Sequence, residues 1–145
     1  MRLVLDTNII ISAFISPDSK PSQILKMILQ RKAKLCYNSV ILSEYERVAL
    51  RPKFSGKIDS TLVRRFIDII GNIGFSFDPQ PGKIKLPDES DRIFYDTARE
   101  SGSVLISGNI KHYPKESFIM SPADFLKKME TAGKTRLPLL HMKPV

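Results

Sequence analysis

Four short apolar runs without helical period constrain the fold of this chain more than any other feature: "RLVL" at residues 2–5, "KLCYN" at 34–38, "SVLIS" at 103–107 and "SFIM" at 117–120. A brief apolar run bounded by turn residues is how a strand buried on both faces reads. Stretches with helical spacing lie between the runs. A short helix is expected from Ile9 to Phe14, followed by the loop "SPDSKPS". Ile24, Leu25, Ile28 and Leu29 then repeat at helical spacing as far as the basic "RKAK". A helix capped by Ser39 runs to about Leu50, where "RPKFSGK" stops it with proline, glycine and charge. Further helices are expected from Asp59 to Asn72, from Ser90 to Glu100 and from "SPADFLKKM". This alternation predicts an α/β fold, a three-layer α/β/α sandwich with a central parallel sheet and right-handed crossovers. The proline-rich "DPQPGKIKLPDES" reads as a loop inside the domain, with room for no more than a short edge strand. The expected domain covers residues 1–130, and 131–145 form an irregular tail.

A chain of 145 residues, 42% hydrophobic and 26% charged, is sized for one packed domain. With 23 basic and 15 acidic residues it carries +8, and its pI is near 9.7, a balance that favours polyanionic partners such as nucleic acid. The single cysteine, Cys36, excludes an internal disulfide. With only His112 and His141 beside it there is no zinc set, and a reducing, cytoplasmic setting is expected. The opening "MRLVLDTNIIISAF" is interrupted by Asp6 and Asn8, which argues against a signal peptide or a membrane span.

The carboxylates carry the chemical signal. Asp6 follows the first strand at its carboxyl end, where ligands of open α/β sheets bind. It can act there as a functional carboxylate or as a helix N-cap. Stepping 100° per residue from Val40 gathers Ile41, Tyr45, Val48 and Ala49 on one face, with Glu44 at its border and Glu46 opposite. The alternative for Glu44 is a surface ion pair with Arg47 or Lys53. Asp91 shares a stripe with Phe94, Tyr95 and Ala98, whereas Asp96 is expected to face away. Asp88 and Asp91 can instead serve as cap and N3 residues of that helix start. Acids from distant parts of the chain meet only through the fold, and their repulsion is relieved by a cation. Oxygen ligands without histidine or cysteine select Mg²⁺ or Mn²⁺. No "GxxxxGK" loop or "GxSxG" elbow supports nucleotide hydrolysis or serine acyl transfer.

"LVLDTNIIISAFISP", "SEYERVALRPKF" and "LPDESDRIFYDTARESGSVLISGNIKHYP", in that order, resemble the successive motif blocks of PIN-domain ribonucleases of the VapC-like toxin type. The resemblance covers Met1 to about Lys128. It implies metal-dependent cleavage of RNA with Mg²⁺ or Mn²⁺ in an acidic pocket, a small antitoxin protein as partner, and a homodimer, for which the apolar "LPLL" of the tail offers a surface. By position, Asp6, Glu44 and Asp91 resemble the catalytic acids. Asp6 and Asp91 resemble metal ligands, Asp88 is the nearest acid to make up a further ligand, and Asn8 resembles a residue that orients Asp6. Asn109 and His112 are candidates to orient substrate, His112 as an acid or a phosphate contact, with a merely solvated histidine as the alternative. The chain departs from the pattern in "SGN": Asn109 stands where many members carry a fourth acid, so one negative charge is missing. Lys111, His112 and Lys115 on one side, and Arg51 and Lys53 on the other, are expected to track a phosphate backbone, with Tyr113 or Phe54 stacking on bases. A catalytically weak PIN fold that binds RNA or a protein is the alternative reading.

Overall fold

All four apolar runs become strands, and a fifth of two residues joins them at an edge. The computed structural model describes residues 1–141, with side chains through residue 132. β1 (Arg2–Leu5), β2 (Lys34–Tyr37), β3 (Phe75–Ser76), β4 (Val104–Ile106) and β5 (Ile119–Met120) form a parallel sheet in the order β3-β2-β1-β4-β5. Leu3, Val4, Leu5, Leu35, Cys36, Leu105 and Ile106 are fully buried, as two covered faces require.

The helices are α1 (Thr7–Ile15), α2 (Lys20–Leu29), α3 (Ser39–Ala49), α4 (Ser60–Ile73), α5 (Arg92–Ser101) and α6 (Pro122–His141). From β1 to β3 the chain advances in one direction along the sheet, so right-handed crossovers put α1 to α4 on one face. The return from β3 to β4 reverses the direction and sends α5 across the other face, where it packs on β1, β2 and β4. The reversal leaves a crevice beyond the ends of β1 and β4, which is where such sheets bind ligands.

Several boundaries differ from those expected. Asn38 caps α3 in place of Ser39, because its Oδ1 accepts the Ile41 N–H at 3.0 Å while Ser39 is already helical. Its Nδ2 donates to the Phe77 carbonyl at 3.1 Å and to the Thr97 hydroxyl at 3.0 Å, joining α3, the loop after β3 and α5. A 3-10 turn at Glu89–Asp91 precedes α5. Gly74, between α4 and β3, admits no side chain, since a Cβ there would stand 2.7 Å from the carbonyl oxygens of both Ile70 and Leu35. The tail expected to be irregular from residue 131 is helical as far as His141. The "LPLL" side chains lie outside the described residues.

Asp96 is the largest departure. Expected to face solvent, it is 2% exposed, because the proline-rich loop folds back over that side of α5. Its Oδ2 accepts the Gly82 N–H at 2.9 Å, and Arg92 stands 3.5 Å from its Oδ1. Arg92 also donates to the carbonyls of Gly82 and Ile84, and Glu100 and Glu89 accept from the N–H groups of Gln80 and Leu86. Polar side chains of α5 and of the turn before it thus take up backbone groups of a loop too rich in proline to pair in a sheet.

Candidate active site

Asp6 occupies the N-cap position of α1 but makes no capping bond with its side chain. It is 8% exposed, and its Oδ2 accepts two hydroxyls, from Ser107 and from Tyr113, each at 2.9 Å. The pairing of Leu5 with Ile106 explains the first contact: Asp6 and Ser107 each follow one of two adjacent parallel strands, so they emerge side by side. The Asp6 N–H completes this junction with the Ile106 carbonyl at 3.0 Å. A deep carboxylate with two hydroxyl donors and no cap bond is not explained as a helix cap.

Glu44 reaches the same region from α3. Its Oε2 accepts the hydroxyl of Thr7, the residue after Asp6, and its Oε1 lies 3.7 Å from Arg47. The ion pair weighed from the sequence therefore exists, on the outer side of a carboxylate that also faces inward. Beneath it the Tyr45 hydroxyl donates to the Leu5 carbonyl at 2.5 Å, fastening α3 to the end of β1. Burial, together with the charges of Asp6 and Glu44, keeps this phenol protonated far above its usual range.

Asp91 stands at the N-cap of α5, again without a capping bond from its side chain. Burial first, and then the charges of Asp6, Asp88 and Glu44, push its carboxyl up to about 6, against the opposing pull of His112. Its Oδ2 is buried and has no hydrogen-bond partner; the His112 imidazole Nδ1 lies 3.9 Å away. Asp88 instead caps the 3-10 turn that precedes α5. Asp88 is exposed and accepts the backbone N–H and the hydroxyl of Ser90 at 2.9 and 2.8 Å, which hold its carboxyl below its usual range.

Asp6, Glu44 and Asp91 are thus the acids brought together, each close enough to act on the others or on a shared neighbour. Asn8 is exposed in the first turn of α1, and Ser107 and Tyr113 are what hold the Asp6 carboxylate. Asn109 is exposed as well: its side-chain nitrogen lies 2.9 Å from His112 Nε2, and its N–H donates to the Ser107 hydroxyl at 3.0 Å. Tyr113 is 5% exposed and so is unavailable for stacking on bases, while Phe54 is half-buried under Lys53. Ser107 and Thr7 were not singled out from the sequence, and Tyr113 was expected only as a ring stacking on bases. The symmetry of Asp6 and Ser107 at two strand ends was the available signal, but it required knowing that β1 and β4 are neighbours.

Among the described residues no group of three His, Cys, Asp or Glu side chains is gathered tightly enough to hold a metal. The donor chemistry fits a hard cation all the same. Asp6 and Asp91 are oxygen donors in mutual repulsion, and the buried, unpartnered Asp91 Oδ2 is the kind of atom a cation satisfies. Glu44 also borders an open cleft of about 410 Å³ between α3 and the proline-rich loop.

Among solved structures, VapBC2 of Rickettsia felis bound to a promoter DNA fragment is similar in fold, with a TM-score of 0.54 at 16% identity over 83% of this chain and 97% of that one. A protein of Methanocaldococcus jannaschii described as uncharacterized is 27% identical over 110 residues, covering 75% of this chain and 71% of that protein. The family model of the PIN domain matches residues 2–111. That match opens with β1 and closes in the turn beyond β4, taking in the three converging acids and the strand ends that gather them, so the chain belongs to the PIN-domain family.

Proposed function

We propose that this protein is a metal-dependent endoribonuclease, the toxin of a toxin–antitoxin pair, with Asp6, Glu44 and Asp91 as its catalytic acids. The observation that carries the reading is Asp91: a half-buried carboxyl raised to about 6 beside Asp6 and Glu44, with one buried oxygen left without a partner. Crowded acids of this kind are costly unless a cation or a reaction uses them. PIN domains are typically nucleases that use a divalent metal. Asp6 and Asp91 would hold Mg²⁺ or Mn²⁺, and the ion, when bound, supplies Lewis acidity that lowers the pKa of a water and offsets charge on the scissile phosphate. Glu44, tied by Thr7 and Arg47, presents a carboxylate at the edge of the cleft to orient a water. Lys111 and Lys115, and Arg51 and Lys53, are exposed on either side to follow the strand's phosphates.

The test is incubation of purified protein with single-stranded and structured RNA in Mn²⁺, Mg²⁺ or EDTA, beside Asp6→Asn. Cleavage that needs metal and vanishes in the variant supports the enzyme; cleavage that survives both EDTA and the substitution belongs to a contaminant. A second reading, a PIN fold that binds RNA or a protein without cutting, draws on the absence of a three-acid cluster among the described residues and on the neutral Asn109. It requires RNA binding of equal strength in EDTA and no cleavage in any metal.

A further inference from the structure

The turn from Ser107 to Pro114 leaves β4 and delivers two hydroxyls to a single oxygen, Asp6 Oδ2. Ser107 has its direction set: its oxygen accepts the Asn109 N–H, which leaves its own proton for Asp6. Tyr113, six positions on, lies against the core in a basic and otherwise exposed turn, and its ring places the second donor. The terminal torsion of a carboxylate is soft, so without donors either or both oxygens of Asp6 are free to face a cation. Two charge-assisted hydrogen bonds on Oδ2 remove that freedom.

We infer that Tyr113 is a positioning residue that reserves Asp6 Oδ2 for hydroxyl donors, so that Asp6 meets a divalent cation through Oδ1 alone. The inference rests on the proposed metal-dependent reading and adds to it a residue and a ligation mode. Tyr113 also lines an outer hollow of about 280 Å³ with Ile110, Lys111 and Pro114. Truncation to alanine would remove part of that lining as well as the hydroxyl, whereas Tyr113→Phe removes only the hydroxyl.

The experiment is calorimetric titration of Mn²⁺ into the full chain, Tyr113→Phe and Tyr95→Phe. Tyr95 is the control because its hydroxyl also donates to a carboxylate, Glu116, at 2.7 Å. Tyr113→Phe is expected to bind Mn²⁺ about tenfold more weakly, the usual effect of losing a partner of a metal ligand. Tyr95→Phe is expected to bind like the parent. Equal affinities in the parent and Tyr113→Phe overturn this inference alone, and so does an equal loss in both variants, which would mark a general loss of packing. A parent that binds no Mn²⁺ overturns the functional reading and this inference with it. Should Tyr113→Phe not fold, 3-fluorotyrosine in place of Tyr113 keeps ring and hydroxyl. A fluorine resonance that shifts on adding Mg²⁺ supports the inference, and one that does not respond overturns it.

Discussion

At the scale of the residue, Asp6 and Asp91 share one feature: each occupies a helix N-cap position and neither spends its carboxylate there. An asparagine amide oxygen can still accept from the Ser107 and Tyr113 hydroxyls, so Asp6→Asn should fold normally while losing metal-dependent RNA cleavage altogether. Full activity in that variant with an unchanged melting temperature would remove Asp6 from the chemistry. For Asp91 the folded carboxyl, at about 6, lies above its ordinary 3.8, so the folded protein takes up the proton first. This group therefore favours folding most below its ordinary value. That contribution is lost as pH rises from about 4 to about 6 and stays lost above. Asp91→Asn should flatten the dependence in that window and stabilise the metal-free protein at pH 7 by on the order of 1–2 kcal/mol, allowing for solvent screening. Thermal melts in EDTA between pH 4 and 7 read both effects. A variant that melts lower than the parent at pH 7 would contradict the crowding of acids. Mn²⁺ affinity should fall as pH drops through about 6, since the ion competes with the proton on Asp91.

At the scale of the element, the site depends on how α3 and α5 are held at the sheet's carboxyl edge. Asn38 joins them: it caps α3 with its oxygen and satisfies Phe77 and Thr97 with its nitrogen, at 3% exposure. Asn38→Ala removes a cap and leaves the buried Thr97 hydroxyl and the part-buried Phe77 carbonyl short of a donor, so it should cost about 3 kcal/mol and lower the melting temperature by about 10 °C. Asn38→Asp keeps the cap but turns an acceptor toward a carbonyl, and chemical denaturation should find it no more stable than the alanine variant. Recovery of parental stability in Asn38→Asp would reduce Asn38 to a cap alone. The proline-rich loop is fastened to α5 in a comparable way, and Gly82 leaves no room there for a side chain: a Cβ would stand 2.6 Å from Asp96 Oδ1. A loop so anchored forms a fixed wall of the cleft beside Glu44.

At the scale of the molecule, the net charge of +8 would, on the proposed reading, attract RNA that the acids then cut. Arg47, Arg51, Lys53, Lys111 and Lys115 are all exposed. If each neutralises one phosphate, single-stranded RNA affinity should fall about a hundredfold between 50 and 200 mM salt, with a logarithmic slope of about −3.5. Joint substitution of Lys111 and Lys115 by alanine should reduce that slope by about 1.4 without altering Mn²⁺ binding. Fluorescence anisotropy across a salt series measures it, and an unchanged slope would place the RNA elsewhere on the surface. Among the described residues no helix is long and apolar enough to cross a membrane.

By itself the sequence determined what is periodic or local: apolar runs became parallel strands, helical stripes buried Tyr45, Phe94 and Tyr95, and the acid after "RLVL" lay at a strand end because a strand that stops there must expose its last residue at the sheet's edge. Tertiary structure decided what depends on which strands are neighbours and which loops fold back. Ser107 and Tyr113 meet Asp6 across more than a hundred residues because β1 and β4 adjoin, and no local pattern carries that register. Asp96 became buried because a loop covers a helix face that its own periodicity assigns to water. Asp88 and Asp91, three residues apart, parted company for the same kind of reason. A 3-10 turn leaves the first in solvent as a cap and points the second at the ends of the sheet, where only packing puts other acids nearby to raise its pKa.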